Sequence, residues 1–412
     1  MRIIAWRSRT LCLPRRSYVT NTPTTGKKCG IQEKLHCSND GVRPDAINTI
    51  VGTIRSLSST DAYPRKLANA LLILLHAVKE LSSARLQRSR TALQSATPEI
   101  VAVLAQLYVS KVRTWEAAVN SGSIESVAVS HNVYHSLLAI KTIRRLLVSG
   151  YEHPNRDDQV SGFWSLTFDN VGFLIDSIDR QSASLPPGLA GLIEKHLQQL
   201  AKLHLEMARS HPAAFVLLPS SLQLVRAYWG VTKQFSESWG SRESTVSAIN
   251  KARISSTGDQ SDERPTQEKL SLRGLLLIRA CIKMVFSPTQ TFKYKHPEDK
   301  AEQKQAEQMV ASELLTTGFI EELMQVIITK FFVFRESDLR EWENEPEDWE
   351  LSQENESEGY EFSIRACSEK LFLDLAINYK NILVPPLLSV FQSFASMLHH
   401  SEKSLQPIAD GY

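Results

Sequence analysis

Long hydrophobic runs are missing from this sequence. The longest unbroken apolar runs, such as Ala70 to Leu75, fall far short of the ~20 residues a membrane-spanning helix needs, so no membrane insertion is expected. Cysteine is scarce and poorly spaced. Cys12, Cys29, Cys37, Cys281 and Cys367 include no Cys-x-x-Cys pair, which argues against a disulfide framework and a four-ligand zinc site and fits a reducing compartment. Neither sign of charge dominates: 47 Lys and Arg face 45 Asp and Glu, a net +2. The whole chain therefore offers no electrostatic reason to bind nucleic acid, and no direct nucleic-acid partner is expected, although local patches stay open.

Chemical signatures are absent as well. No GxGxxG, GxxxxGK[ST], HExxH or GxSxG occurs, which removes nucleotide cradles, zinc peptidases and serine esterases of those types. Cys29, His36 and Cys37 lack a fourth ligand at zinc spacing. His131 and His135 stand i, i+4 on a helix, and His196 and His204 lie further along, but no acid or cysteine flanks them at ligand spacing. All four are expected to be hydrogen-bonded core or surface histidines. No cofactor is expected and no enzyme activity.

Strand signals are equally thin. The one Asp-Gly hairpin signal, Asp40-Gly41, lies in an unusual amino-terminal stretch. What remains is 42 % apolar and 22 % charged, enough apolar material for a substantial core. It is arranged at helical spacing. Leu67, Leu71, Leu74, Leu75, Val78 and Leu81 mark one face; Ile100, Val103, Leu104, Leu107, Tyr108 and Trp115 a second; Val133, Leu137, Ile140 and Leu147 a third. Ile193, Leu197, Leu200, Leu203 and Met207 follow, then Leu272, Leu275, Leu276, Ile282 and Phe286, then Ile320, Leu323, Met324, Ile327 and Phe331. Leu371, Phe372 and Leu375 precede a final face with Leu388, Val390, Phe394 and Met397. Pro64, Pro98, Pro187 and Pro385-Pro386 are read as helix starts, Gly150, Pro212 and Pro288 as stops. Ten or more such helices cannot share one bundle core. Stacked helix pairs solve the problem, so the expected fold is all-α, an α-solenoid of HEAT/armadillo-like repeats.

Three segments differ from the helices. Residues 1–45 carry nine Lys and Arg against three acids, none before Glu33; this is the composition of a basic disordered arm, or of a mitochondrial transit peptide in residues 1–20. Residues 236–268 are rich in small and polar residues and read as a mobile loop between helical blocks at 46–235 and 269–335. Residues 336–361 hold twelve acids and one base, with Trp342 and Trp349 set among them. Aromatic anchors inside a negative field suit a basic partner, which makes Glu341, Trp342, Glu343, Glu345, Glu347, Asp348, Trp349 and Glu350 the candidate partner-binding residues. Helices resume over 362–400, and 401–412 is a tail. The basic group Lys79, Arg85, Arg88 and Arg90 is expected at an inter-repeat loop.

Particular residues then resemble a known family. Val78-Lys79-Glu80-Leu81-Ser82-Ser83-Ala84-Arg85-Leu86, Lys330-Phe331-Phe332 leading into Asp338-Leu339-Arg340-Glu341-Trp342-Glu343-Asn344-Glu345-Pro346-Glu347, and Arg365-Ala366-Cys367-Ser368-Glu369-Lys370-Leu371-Phe372 are similar to importin-eleven-type karyopherins of the importin-β family. The resemblance runs over roughly residues 45–400 and matches an internal segment of such proteins. It implies a HEAT-repeat superhelix that carries protein cargo through nuclear pores. It also implies binding of Phe-Gly-repeat nucleoporins between outer helices, a response to the GTP form of the Ran GTPase, and residence in nucleus and cytoplasm. The acidic stretch is then expected to meet basic cargo or Ran. The alternative is a non-catalytic HEAT-repeat scaffold without a transport cycle. A segment cut from a solenoid is also expected to have low stability or to self-associate, because its end repeats leave apolar faces open.

Overall fold

In the computed structural model the described residues are 44–59, 62–122, 127–181, 185–240, 265–288, 297–347, 349–351 and 359–409. Among them there is no strand. The helices are α1 (Pro44–Ser58), α2 (Pro64–Ser83), α3 (Gln87–Asn120), α4 (Val127–Ser149), α5 (Asp158–Gln181), α6 (Pro187–Ser210) and the short α7 (Pro212–Leu217). They continue as α8 (Ser221–Ser236), α9 (Thr266–Phe286), α10 (Pro297–Met309), α11 (Thr317–Val326), α12 (Glu336–Asn344), α13 (Ile364–Asn378) and α14 (Lys380–Ala409). Two π-helical stretches, Val310–Leu314 and Ile327–Phe331, extend α10 and α11.

The helices stack in two rows. Helices α2, α4, α6, α9 and α13 pack in succession on one another, while α1, α3, α5, α8 and the α11 segment form a second layer against them. Successive pairs α1/α2, α3/α4, α5/α6 and α8/α9 therefore repeat one packed helix pair, the stacked-pair solution that the apolar periodicity calls for. The first row is the more tightly packed. A stack that packs closer on one side curves toward it, so we refer to α2, α4, α6, α9 and α13 as the inner row and the others as the outer row.

Most predicted faces are buried. Leu71, Leu74, Val78, Tyr108, Trp115, Ile140, Leu197, Leu275 and Phe331 are all sealed from solvent. Two glycines permit the closest approaches. A Cβ on Gly274 of α9 would sit 2.7 Å from Thr232 Oγ1 and 3.1 Å from the Tyr228 carbonyl oxygen on α8. On Gly150, just past α4, it would collide with Thr97 Oγ1 on α3.

The structure corrects two proline readings. Pro98 does not open a helix: it lies inside α3, which begins at Gln87. Thr97 Oγ1 donates to the Leu93 carbonyl at 2.7 Å, so the turn beside the missing N–H keeps a backbone-directed hydrogen bond. Pro385 and Pro386 likewise lie within α14 rather than before it. Both are exposed, which leaves water to serve the carbonyls that have lost a donor. Leu388, expected on a buried face, is 57 % exposed. Trp239 departs in the other direction. It falls in the stretch read as a polar loop, yet it is buried against Phe235 and Phe331, with the Arg335 guanidinium 4.5 Å from its ring centre. The rest of that loop from 241 to 264, and the amino-terminal arm with Cys29, His36 and Cys37, lie outside the described residues.

Candidate functional site

The seam between the rows is pinned by two polar relays. His196 of α6 reaches Tyr108 of α3 (Nε2 to Oη, 3.0 Å) and Ser136 of α4 (Nδ1 to Oγ, 3.5 Å). Asn170 Nδ2 donates to Tyr108 Oη at 2.9 Å and Ser136 Oγ donates to the Val133 carbonyl. The donors run in one direction only if the tyrosine hydroxyl donates to Nε2 and Nδ1–H donates to Ser136, which assigns a neutral imidazole. His204, about two turns further along α6, repeats the scheme. Its Nδ1 meets Tyr228 Oη at 3.0 Å, and its Nε2 meets Thr167 Oγ1 at 2.9 Å, while that hydroxyl donates to the Trp164 carbonyl. Burial pushes both imidazoles down to about 3. These two histidines hold the rows together and have no access to substrate. His135 contacts the Pro64 carbonyl at 2.9 Å and stacks on His131. Cys281 and Cys367 are buried, and burial pushes each thiol up to about 12, far from a nucleophile's range.

The acidic stretch is not one surface. Its first part turns inward: Asp338 is 1 % exposed and accepts from Arg335 Nη2 and Arg365 Nη2, each at 2.8 Å, and from the Arg335 backbone N–H at 2.9 Å. Burial alone would raise this carboxyl; the Arg335 hydrogen bonds and the charges of Arg335 and Arg365 outweigh burial and hold it below the usual range. Arg365 Nη2 also donates to the Val333 carbonyl and its guanidinium lies over Phe334. Asp338 is thus a clamp that fastens α12 to α13. The end of the stretch is also engaged, since Glu361 pairs with Arg209 at 3.1 Å.

Between these ends lie the predicted binding residues. Trp342 is 52 % exposed, and Glu343, Glu345, Glu347 and Glu350 are exposed. Trp349 is half-buried and packs on Phe334 with ring centres 5.5 Å apart. Asp348 and the side chain of Glu341 lie outside the described residues. The surface therefore offers one open indole and four open carboxylates, with the second indole bedded on the clamp. The clamp itself, Arg335, Asp338 and Arg365, was not read from the sequence. No local signal marks it, since Asp338 is one of twelve acids between Arg335 and Arg365.

A second site lies in the outer row. Helices α3 and α5 diverge and leave a groove of about 720 Å³ between them. Val101, Ala102, Ala105, Val109, Phe163 and Leu166 line it, with Arg113 and Asp158 also at the walls. Small side chains at 102, 105 and Gly162 keep it open. Its mainly apolar lining suits aromatic side chains of a peptide, and its volume holds more than one of them. The sequence marks this place only faintly, as an apolar face on α3 wider than its core contacts require.

No family model matches the chain. Curated proteins do. It is similar to Importin beta-like protein KAP120 of Saccharomyces cerevisiae, 27 % identical over 338 residues, 82 % of this chain and 30 % of that protein. It is similar to Importin-11 of Homo sapiens, 23 % identical over 352 residues, 85 % of this chain and 32 % of that protein. Among solved structures it matches that of Lph2, described as a bidirectional nuclear transport receptor in S. cerevisiae, with a TM-score of 0.67 and 25 % identity, covering 84 % of this chain and 30 % of the other. The chain thus spans about 30 % of the length of the curated relatives it matches. In sequence and in the stacking of its helices, it looks like part of an importin-11-type karyopherin.

Proposed function

We propose that this chain is part of a nuclear transport receptor of the importin-β type, a non-enzymatic carrier that moves protein cargo between cytoplasm and nucleus. The observation that carries the reading is the two-row helix stack together with similarity, over more than four-fifths of the chain, to proteins named as importins and to a receptor of known structure. The groove between α3 and α5 takes the phenyl ring of a Phe-Gly nucleoporin repeat, because it is apolar, open and on the outer row. The exposed carboxylates Glu343, Glu345, Glu347 and Glu350 around Trp342 take a basic segment of cargo or of Ran in its GTP form.

The test is retention of purified partners by the full chain on beads: Ran loaded with GTP, Ran loaded with GDP, and a Phe-Gly-repeat nucleoporin fragment. The expected result is capture of the nucleoporin fragment and of the GTP form of Ran in preference to the GDP form. Ala105→Trp, which sets an indole across the groove, should abolish the first without changing the second. Folded protein that retains neither partner would move the chain to a scaffold without a transport cycle.

A further inference from the structure

The net charge of the chain is small, but it is unevenly distributed. On the inner row, neighbouring helices α4, α6 and α9 bring cations together from distant parts of the sequence. Helix α4 carries Lys141, Arg144 and Arg145 and no acid at all. Lys195 and Lys202 lie seven residues apart on one face of α6 and both are exposed. Arg273 of α9 reaches across to α6, where its Nη1 donates to the Gln198 carbonyl at 2.9 Å. The acid set among them is Glu206, which is paired with Arg144. Glu194 sits about 100° round α6 from Lys195, on the flank of this face.

The cations interact with one another. Burial first, then the charges of Lys195 and Arg144, holds the Lys141 ammonium below its ordinary range. Burial lowers Lys202 as well, helped by Arg273, Arg144 and Lys141 and opposed by Glu206. Arg144 is depressed by burial against the pull of Glu206. A folded surface that keeps like charges this close, with one acid among five cations in the described residues, carries an electrostatic cost that an anionic partner removes.

We propose that the inner face of α4, α6 and α9, centred on Lys141, Arg144, Lys195, Lys202 and Arg273, binds an acidic segment of a partner protein. Its dimensions decide between anions. Three helices packed at 8–10 Å spacing span roughly 20 Å, the length of about six extended residues. Four carboxylates over that length match a face with five cations and one acid. Duplex nucleic acid presents one charge per ~1.7 Å, about twelve over the same distance, and the face falls well short of that. This surface is on the opposite row from the α3–α5 groove, so it stands whether or not the transport reading does.

Fluorescence anisotropy on the full chain tests it. The probes are a fluorescein-labelled 12-residue peptide of alternating Glu and Ser, the same peptide with Gln for Glu, and a seven-nucleotide oligothymidylate carrying the same number of charges. The Glu peptide should bind, the Gln peptide should not, and raising salt from about 50 to 300 mM should weaken the Glu peptide about tenfold. Lys141→Glu/Lys195→Glu/Lys202→Glu should weaken it at least about tenfold, and the milder Lys→Gln triple should lie between. Lys79→Glu/Lys300→Glu/Lys304→Glu, the same charge change elsewhere, should stay within about twofold of the parent. Thermal melts followed by circular dichroism show whether each variant is folded. Equal affinity in the two Glu triples, or no binding of the Glu peptide to the parent chain, overturns the proposal. Tighter binding of the oligothymidylate than of the Glu peptide, lost in the patch triple, would reassign the face to nucleic acid and overturn it equally.

Discussion

The two rows of one helical stack have been put to different uses. Along the inner row α4, α6 and α9 pack closely and their solvent face gathers Lys141, Arg144, Lys195, Lys202 and Arg273. Along the outer row α3 and α5 diverge, and an apolar groove opens where they part. Closeness of helix packing supplies the difference. Helices that converge leave only long charged side chains reaching solvent, whereas helices that splay expose the flanks that a straight stack would bury. Between the rows, the seam is filled to the limit, with neutral histidines and glycines at points of closest approach.

The sharpest break of this division comes at the clamp that joins α12 to α13. Asp338→Ala leaves Arg335 and Arg365 buried without their counter-ion, and stability should fall by about 3–5 kcal/mol in urea unfolding. A loss below about 1 kcal/mol would mean that solvent reaches the clamp.

Acid probes the seam next. His196 and His204 are held at about 3 in the folded chain against an ordinary 6.5. As pH falls below 6.5 the unfolded chain takes up protons first, so stability present at neutral pH drains away between 6.5 and about 3. From pH 7 to 5.5 the two together should remove about 2–3 kcal/mol. The check is unfolding at both pH values in the parent and in His196→Gln/His204→Gln, whose smaller pH dependence should identify the source. Asp338, with its carboxyl held low, adds stability that is lost only at more acid pH.

A methyl group and an indole then measure how tightly each region is filled. Gly274→Ala places a Cβ 2.7 Å from Thr232 Oγ1 and should cost about 1–3 kcal/mol; adding Thr232→Ala should recover part of it. Ala105→Trp puts a far larger group into the outer groove and should change stability by less than about 0.5 kcal/mol, because the groove is open. Equal costs for the two would show that α3 and α5 close on each other in solution.

Much of the fold can be read directly in the residues. The spacing of Leu67, Leu71, Leu74 and Val78, or of Ile193, Leu197, Leu200 and Leu203, requires helices, and those side chains are buried. Pro64, Pro187, Gly150 and Pro212 mark ends that the structure keeps. Pro98 and Pro385-Pro386 mislead, since a proline is tolerated inside a helix when a side chain or water serves the freed carbonyl. The acidic stretch is legible as charge but not as structure. Nothing local distinguishes Asp338, sealed between two arginines, from Glu343, open to water.

The sequence by itself determined the helices and most of their ends, because the apolar period of an α-helix is a property of neighbours three and four residues apart. Only the tertiary structure decided which helices form the inner row, where the outer row opens, and which charges meet. Lys141, Lys195 and Arg273 are spread over more than a hundred residues of chain. Stacking one helix pair on the next brings them onto one face, and no local rule encodes a distance set by packing between repeats.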